Sequence, residues 1–400
     1  MRSTSELFST VDSVNWNFNF KQTYSQNELR PFNCRKFFSY PATFIPDIPF
    51  SLIEILSKKG DNILDPFGGI GTTFFQSIVQ ERNATSLDNN IVAHIVNSNV
   101  LNLFNNDNIE DYINNIKKID YSSSFDNYLE KERLNLVGWF DKKTLSQLSI
   151  AIKYYDDLTD GAERAFFELC LLNAITSLSS QNKGWAYIAD NVKPKDVDMK
   201  YKDVEKLILF TAKQHQNEIS NYSDHLSKNA ISFIENVKSN WNSNIINANF
   251  LDVELTDCHY DLIVTSPPYP NMIDYVKSQR LSYYLINKSW KDFVSTEIGA
   301  RCNRHRKMSI GEYKTMMIGA IQKMFNSLKY NGYMCLIFPE FPITDARNAT
   351  INELVDFCKK QFGYKQWKKI NRYIPSTKRE QNNHIASLQN EQILIFKKES

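Results

Sequence analysis

Residues Asp261-Leu262-Ile263-Val264-Thr265-Ser266-Pro267-Pro268-Tyr269 set an apolar run directly against two consecutive prolines. The run reads as a buried strand. Neither proline can donate to a ladder, so the strand must stop there and the chain must make a rigid turn. In an open α/β sheet the ligand crevice lies outside the carboxyl ends of the strands, which makes this turn a candidate site. It offers the Ser266 hydroxyl, the carbonyls of Pro267 and Pro268, and the Tyr269 ring. Acceptors beside an aromatic ring suit a flat heterocycle that carries an exocyclic amine.

A second strand-and-turn lies upstream, in Ile63-Leu64-Asp65-Pro66-Phe67-Gly68-Gly69-Ile70-Gly71-Thr72-Thr73. Its three glycines allow close backbone approach to a ligand, and a helix is expected from Thr73 to about Val79. No Lys follows the last glycine, so this is not a nucleotide P-loop, and Phe74 stands where a dinucleotide fingerprint needs its third glycine. Asp88 closes a second strand, Thr85-Ser86-Leu87-Asp88, where an acid fits a ribose diol. The pocket therefore wants a nucleoside without a pyrophosphate, and S-adenosyl-L-methionine is the common cofactor of that shape.

Together, Asp65-Pro66-Phe67-x-Gly69-x-Gly71-Thr72 and Ser266-Pro267-Pro268-Tyr269 resemble the S-adenosylmethionine-dependent amino-methyltransferases of DNA, in particular the N4-cytosine type. The resemblance spans roughly residues 38–100 and 246–398 and fails between them. It implies that the first motif binds the cofactor, through Asp65, Phe67, Gly69, Gly71 and Thr72, and that Ser266, Pro267, Pro268 and Tyr269 hold the target amine. It adds Phe44, in Tyr40–Pro46, over the methionine end, and Asp252, in Asn249-Phe250-Leu251-Asp252, at the adenine. Leu328–Tyr333 is similar to the helix-turn-strand that follows the catalytic motif, and Asn271–Tyr275 to the extension after it. A serine before the two prolines goes with cytosine N4; Asp or Asn there goes with adenine N6 or with guanosine N2 in RNA. Without the motifs, Asp65 reads as a helix cap and Asp88 and Asp252 as strand-end acids.

Composition narrows the class. With 42% hydrophobic residues the 400-residue chain can bury a sizeable core, and no apolar run approaches a membrane span. The six cysteines form no CxxC pair, and Cys302-x-x-His305 lacks a second pair, so reduced thiols in a cytoplasmic protein without a metal site are expected. No cysteine follows a proline, so the nucleophile of cytosine-C5 methylation is missing. The net charge of +2 hides two basic runs, residues 277–310 and 359–379, each with eight Lys and Arg, against two and no acids respectively. Concentrated charge of this kind is the footprint of a polyanion site, and the bland alternative is a pair of solvated faces. Arg301, Arg304, Arg306 and Lys307 are the sharpest candidates for DNA contact, because they follow the catalytic motif.

Strands are expected at Asn62–Asp65, Thr85–Asp88, Ile245–Phe250, Asp261–Thr265, Tyr333–Phe338 and Gln392–Phe396, with helices between them, notably Ser51–Ser57 and Ile310–Leu328. That alternation predicts an α/β fold with a doubly wound, mostly parallel sheet, Rossmann-like, whose last strand is the antiparallel edge if the resemblance holds. Residues 1–37 read as a polar extension of uncertain order, 38–100 as the cofactor-binding half, 101–245 as a helical insertion and 246–400 as the catalytic half. Within the insertion, helical spacing covers Leu145–Tyr155, Ala165–Leu178 and Asp198–Leu226, with His215 packed on an apolar stripe. The insertion suits target recognition, with Ser179–Trp185 as the candidate DNA-touching loop, or equally a structural or dimerising bundle.

The expected reaction is methyl transfer to a cytosine N4 in double-stranded DNA, with the base flipped from the helix, beside a cognate restriction endonuclease and away from any membrane. Adenine N6 is the alternative within the same chemistry and guanosine N2 of RNA the next. A catalytically silent nucleic-acid-binding subunit is the alternative outside it.

Overall fold

The computed structural model describes residues 4–18, 29–41, 43, 45–122, 129–181, 193–294, 296–299, 310–363, 367–374 and 390–399. Within them one sheet holds β1 (Asn62–Asp65), β2 (Asn83–Asp88), β3 (Ile245–Asn247), β4 (Tyr260–Thr265), β5 (Leu328–Glu340), β6 (Trp367–Tyr373) and β7 (Asn390–Lys397). The strand order is β3-β2-β1-β4-β5-β7-β6. Neighbours from β3 through β5 are parallel, while β7 runs antiparallel to both β5 and β6. This is the doubly wound, Rossmann-like α/β fold the alternation predicts, and the order reverses at β1 and β4, whose carboxyl ends carry the two motifs.

The edge assignment needs correction. β7 is antiparallel but interior, and β6 forms the edge. The sequence hides β6 because Trp367-Lys368-Lys369-Ile370-Asn371-Arg372-Tyr373 reads as a charge run rather than as an apolar strand. An edge strand tolerates lysines, which also discourage pairing with another sheet. Its charges are neutralised locally: Lys368 pairs with Asp12, Lys369 with Glu340 at 3.8 Å and Arg372 with Glu391. Lys359 likewise meets Asp356 at 3.3 Å, so these members of the second basic run are committed within the protein rather than offered to a polyanion. The expected turn in Leu328–Tyr333 is absorbed into β5. Tyr260 pairs with Leu328 and Leu262 with Tyr333, so the residues between bulge out, with Asn331 at φ +65°.

Alternate side chains of the central strands feed two different layers, as a period of two requires. Leu262, Val264, Ile393 and Ile395 pack with helices Thr4–Ser13 and Asp47–Leu56. Ile263, Leu394 and Phe396 pack on the other face with helices Ile310–Ser327 and Ala346–Phe362. The first of these layers corrects the reading of residues 1–37. Residues 4–13 are a helix whose Val11 is buried, and Trp16 is buried just beyond it.

Between β2 and β3 the described residues form helices joined by turns, with no strand among them, notably Ile109–Ile116, Lys142–Asp157, Ala162–Leu178, Val204–Ser223 and Lys228–Ser239. These helices share one core with Phe32, Phe37, Phe74 and Phe75 and with Leu281, Tyr283 and Leu285, so they are fused to the sheet's flank. His215 is a core residue: Nε2 lies 3.1 Å from the Phe37 carbonyl oxygen and 3.2 Å from Asn173 Nδ2. Burial lowers its pKa to about 4, so the ring is neutral at physiological pH.

Candidate active site

The two motif turns open onto one cleft at the carboxyl ends of β1, β2 and β4. Pro66–Ile70 and Thr72 form one wall, Ser266 and Pro268 another, and Asp88–Asn90, Ala248–Phe250 and Thr296–Ile298 the remainder. Tyr40 and Tyr275, also in the lining, stack with ring centroids 5.9 Å apart.

The glycine turn is held by its own backbone and by neighbouring acids. Gly71, at φ +77°, precedes helix Thr72–Val79, and a Cβ there would sit 2.6 Å from Asn97 Oδ1. Gly68 is equally constrained, because a Cβ would come within 1.9 Å of Ser86 Oγ. Two of the three glycines thus serve close packing of protein against protein. Asp88 accepts from the Gly69 N–H at 2.8 Å through Oδ2 and from the Asn90 N–H at 2.8 Å through Oδ1. Burial raises its pKa, while these two N–H groups favour the charge. A carboxylate has about four lone-pair sites, so Asp88 keeps capacity for hydroxyl donors in the cleft.

Asp65 caps no helix. Its Oδ1 accepts from the Phe67 N–H at 3.2 Å, whereas the buried Oδ2 has no hydrogen-bond partner. Burial pushes its pKa up to about 6, against the pull of the nearby Thr265 and Thr73 hydroxyls and the Phe67 N–H. Asp65 thus sits behind the cleft wall, against the Thr265 and Thr73 hydroxyls.

The proline turn is held from afar, by side chains and by backbone. The Pro268 carbonyl accepts from the Tyr313 hydroxyl at 2.9 Å, and the Asn271 N–H donates to the Gly299 carbonyl at 2.9 Å. Ser266 Oγ donates to the Tyr269 hydroxyl at 3.2 Å, which in turn donates to Glu391 at 3.5 Å. Tyr269 is itself buried, and its ring does not line the cleft.

A sequence profile of the DNA methylase family, N6/N4 type, matches residues 4–97 and 260–400. The chain belongs to that family. No curated protein matches it. The methylase profile begins at residue 4, ahead of the resemblance read from the motifs, and this accords with the N-terminal helix packing on the sheet. DNA methyltransferases of this family generally draw on S-adenosylmethionine.

Of the residues singled out in the methylase sequence, Phe67, Gly69, Thr72, Asp88, Ser266 and Pro268 line the cleft. Asp65, Gly71, Pro267 and Tyr269 stand behind its walls. Asp252 is exposed and accepts from Asn249 Nδ2 at 2.9 Å, so the structure brings Asn249, rather than Asp252, to the cleft. Phe44, Arg301, Arg304, Arg306, Lys307 and most of the Ser179–Trp185 loop lie outside the described residues.

Glu297 carries no signal in the sequence. It accepts from the Tyr275 N–H at 2.6 Å and the Val276 N–H at 3.4 Å, and burial, with Asp274 and Asp88 adding, raises its pKa to about 8. It belongs to no motif and sits in a basic stretch. Tyr40 and Tyr275 lay within noted segments, but only folding pairs them. Among the described residues no cluster of potential metal ligands is found, and no helix is long and apolar enough to cross a membrane.

Proposed function

We propose that this methylase moves a methyl group from S-adenosylmethionine to the exocyclic N4 of a cytosine flipped out of double-stranded DNA, as the modification half of a restriction–modification pair in the cytoplasm. The observation that carries the reading is that Ser266 and Pro268 share one cleft with Gly69 and Asp88. The choice of cytosine over adenine rests on the serine ahead of the two prolines.

The donor set fits the cofactor. Asp88 would take the ribose hydroxyls, and Phe67 and Asn249 would flank the adenine, with Gly69 and Thr72 against the cofactor's length; Asp65 would act on the cationic methionine end from behind the wall. Bound there, S-adenosylmethionine supplies a methyl group on a sulfonium, ready for direct displacement.

The difficulty on the other side is that the amine's lone pair is delocalised into the base. Acceptors that hold the amine hydrogens pull the nitrogen towards tetrahedral geometry and free that pair. Ser266 Oγ is one acceptor and a carbonyl of the proline turn the other: that of Pro267, or that of Pro268, which lines the cleft and keeps a lone pair beside its bond from Tyr313. Groups fixed in advance of the reaction act on charge as it develops. Alignment of nitrogen and methyl contributes about 7–11 kcal/mol. Flipping the base costs a few kcal/mol, and an aromatic platform offsets roughly 1–3 kcal/mol of it. The buried Tyr269 ring is less accessible for that role than the Tyr40–Tyr275 stack in the lining. Residues 101–245 would choose the target sequence, and Arg301, Arg304, Arg306 and Lys307 would hold the DNA backbone.

The test is incubation of the protein with DNA and labelled S-adenosylmethionine, then digestion and mass spectrometry of the nucleosides. N4-methylcytosine that disappears in Ser266→Ala is the expected result. N6-methyladenine would overturn the base assignment and leave the mechanism, whereas bound cofactor without any methylated nucleoside would point to a silent subunit.

A further inference from the structure

Arg372 and Glu391 face each other across β6 and β7, both buried, and form an ion pair. The guanidinium is fully engaged: Nε donates to the Trp16 carbonyl at 3.0 Å and Nη2 to the Phe18 carbonyl at 3.2 Å, so it also pins the N-terminal segment. Glu391 Oε1, turned from Arg372, receives the Tyr269 hydroxyl at 3.5 Å. The cleft serine lies one hydrogen bond further on.

The direction of every hydrogen bond in this chain follows from its far end. A carboxylate can only accept, so Tyr269 must donate to Glu391. Having spent its one proton, Tyr269 can only accept from Ser266, and Ser266 can then offer the cleft only lone pairs. We propose that the Arg372–Glu391 pair is a positioning device that sets the polarity of the Tyr269–Ser266 hydroxyl chain and so makes Ser266 an obligate acceptor for the target amine. This rests on the reading of Ser266 as the residue that meets the amine. Neither Arg372 nor Glu391 touches the reacting atoms. Burial and then the Glu391 carboxylate push the Tyr269 phenol well above its ordinary range, so it keeps the proton it donates.

Glu391→Gln tests this without changing shape. With its amide oxygen drawn to Arg372, its NH2 faces Tyr269 and donates, which reverses the chain and turns the Ser266 proton towards the cleft. The expected result is a fall in turnover of about 10-fold or more, with KM for DNA and affinity for S-adenosylmethionine unchanged. In a Tyr269→Phe background, where the chain is already cut, Glu391→Gln causes no further loss. Wild-type turnover in Glu391→Gln, or losses that multiply in the double variant, would overturn the proposal. If the Gln variant fails to fold, Tyr269→Phe decides: it cuts the chain with Glu391 in place, and wild-type turnover in it overturns the proposal. A second readout is independent of activity. With tyrosine 13C-labelled at Cζ, the Tyr269 resonance should move in Glu391→Gln. A resonance unmoved in Glu391→Gln rejects the relay even if no DNA substrate is found. A moved resonance in a protein that methylates nothing rejects the proposed reaction and leaves the relay standing.

Discussion

The cleft is made of two turns at the ends of adjacent strands, β1 and β4, and they are built on opposite plans. The glycine turn is self-contained: its bonds run to Asp88 and Asn97, 19 and 28 residues away from Gly69, and its shape comes from backbone that only glycine can follow. The proline turn is stiff in itself but depends on distant supports. Tyr313 lies 45 residues from Pro268 and Glu391 lies 122 from Tyr269. One turn is encoded where it stands, whereas the other is a local stop signal whose chemistry is finished by strands formed at the end of the chain.

That contrast can be broken most forcefully at Arg372, which touches neither turn's backbone. Arg372→Met leaves Glu391 buried without its ion-pair partner and is expected to destabilise the fold by about 3–5 kcal/mol, read by denaturant unfolding. If turnover also falls while the glycine turn still binds cofactor, the two plans are separable. Next in size is Ser266→Ala, expected to cut turnover by about 10²–10³ with an unchanged melting temperature. Gly71→Ala sharpens the other side. Its added Cβ meets Asn97 and Phe75 at a positive φ, for an expected cost of roughly 1–3 kcal/mol together with weaker S-adenosylmethionine binding by calorimetry. A loss of cofactor affinity without loss of stability would mean the glycine turn relies on outside support after all.

At Glu297, in the lining of the cleft the two turns share, the effect is a slope with pH. In the folded chain it holds its proton up to about pH 8, whereas the unfolded chain releases it near 4.5. The folded state therefore binds more protons across that interval, and stability falls as pH rises through it, by at most about 1.4 kcal/mol per pH unit. Glu297→Gln removes that slope, which unfolding curves between pH 5 and 8 would show.

The central strands were legible because burial on both faces writes itself as unbroken apolar residues, as in Leu262-Ile263-Val264. β6 was not, because an edge strand needs few apolar residues and its lysines are matched by Asp12 and Glu340 from elsewhere. Helix Thr4–Ser13 was missed although Leu7, Phe8, Val11 and Val14 stand at helical spacing, because the stripe is short and set among polar residues, and only the sheet it packs on shows its use. In the site, Asp88 and Ser266 could be read from the strands that precede them, but Asp252 could not be told from Asn249, since which residue of a turn faces inward is set by the turn's own hydrogen bonds.

The sequence by itself determined the strands, the two turns that end them and the type of chemistry those turns carry. These depend on local stereochemistry: a proline has no N–H to extend a ladder, and glycine alone follows a left-handed backbone without strain. Only the tertiary structure decided that β7 lies inside the sheet, that Tyr40 stacks on Tyr275, and that an ion pair from two late strands stands behind Ser266. Hydrogen-bond direction and burial are properties of neighbours, and neighbours far apart in sequence meet only when the sheet has closed around them.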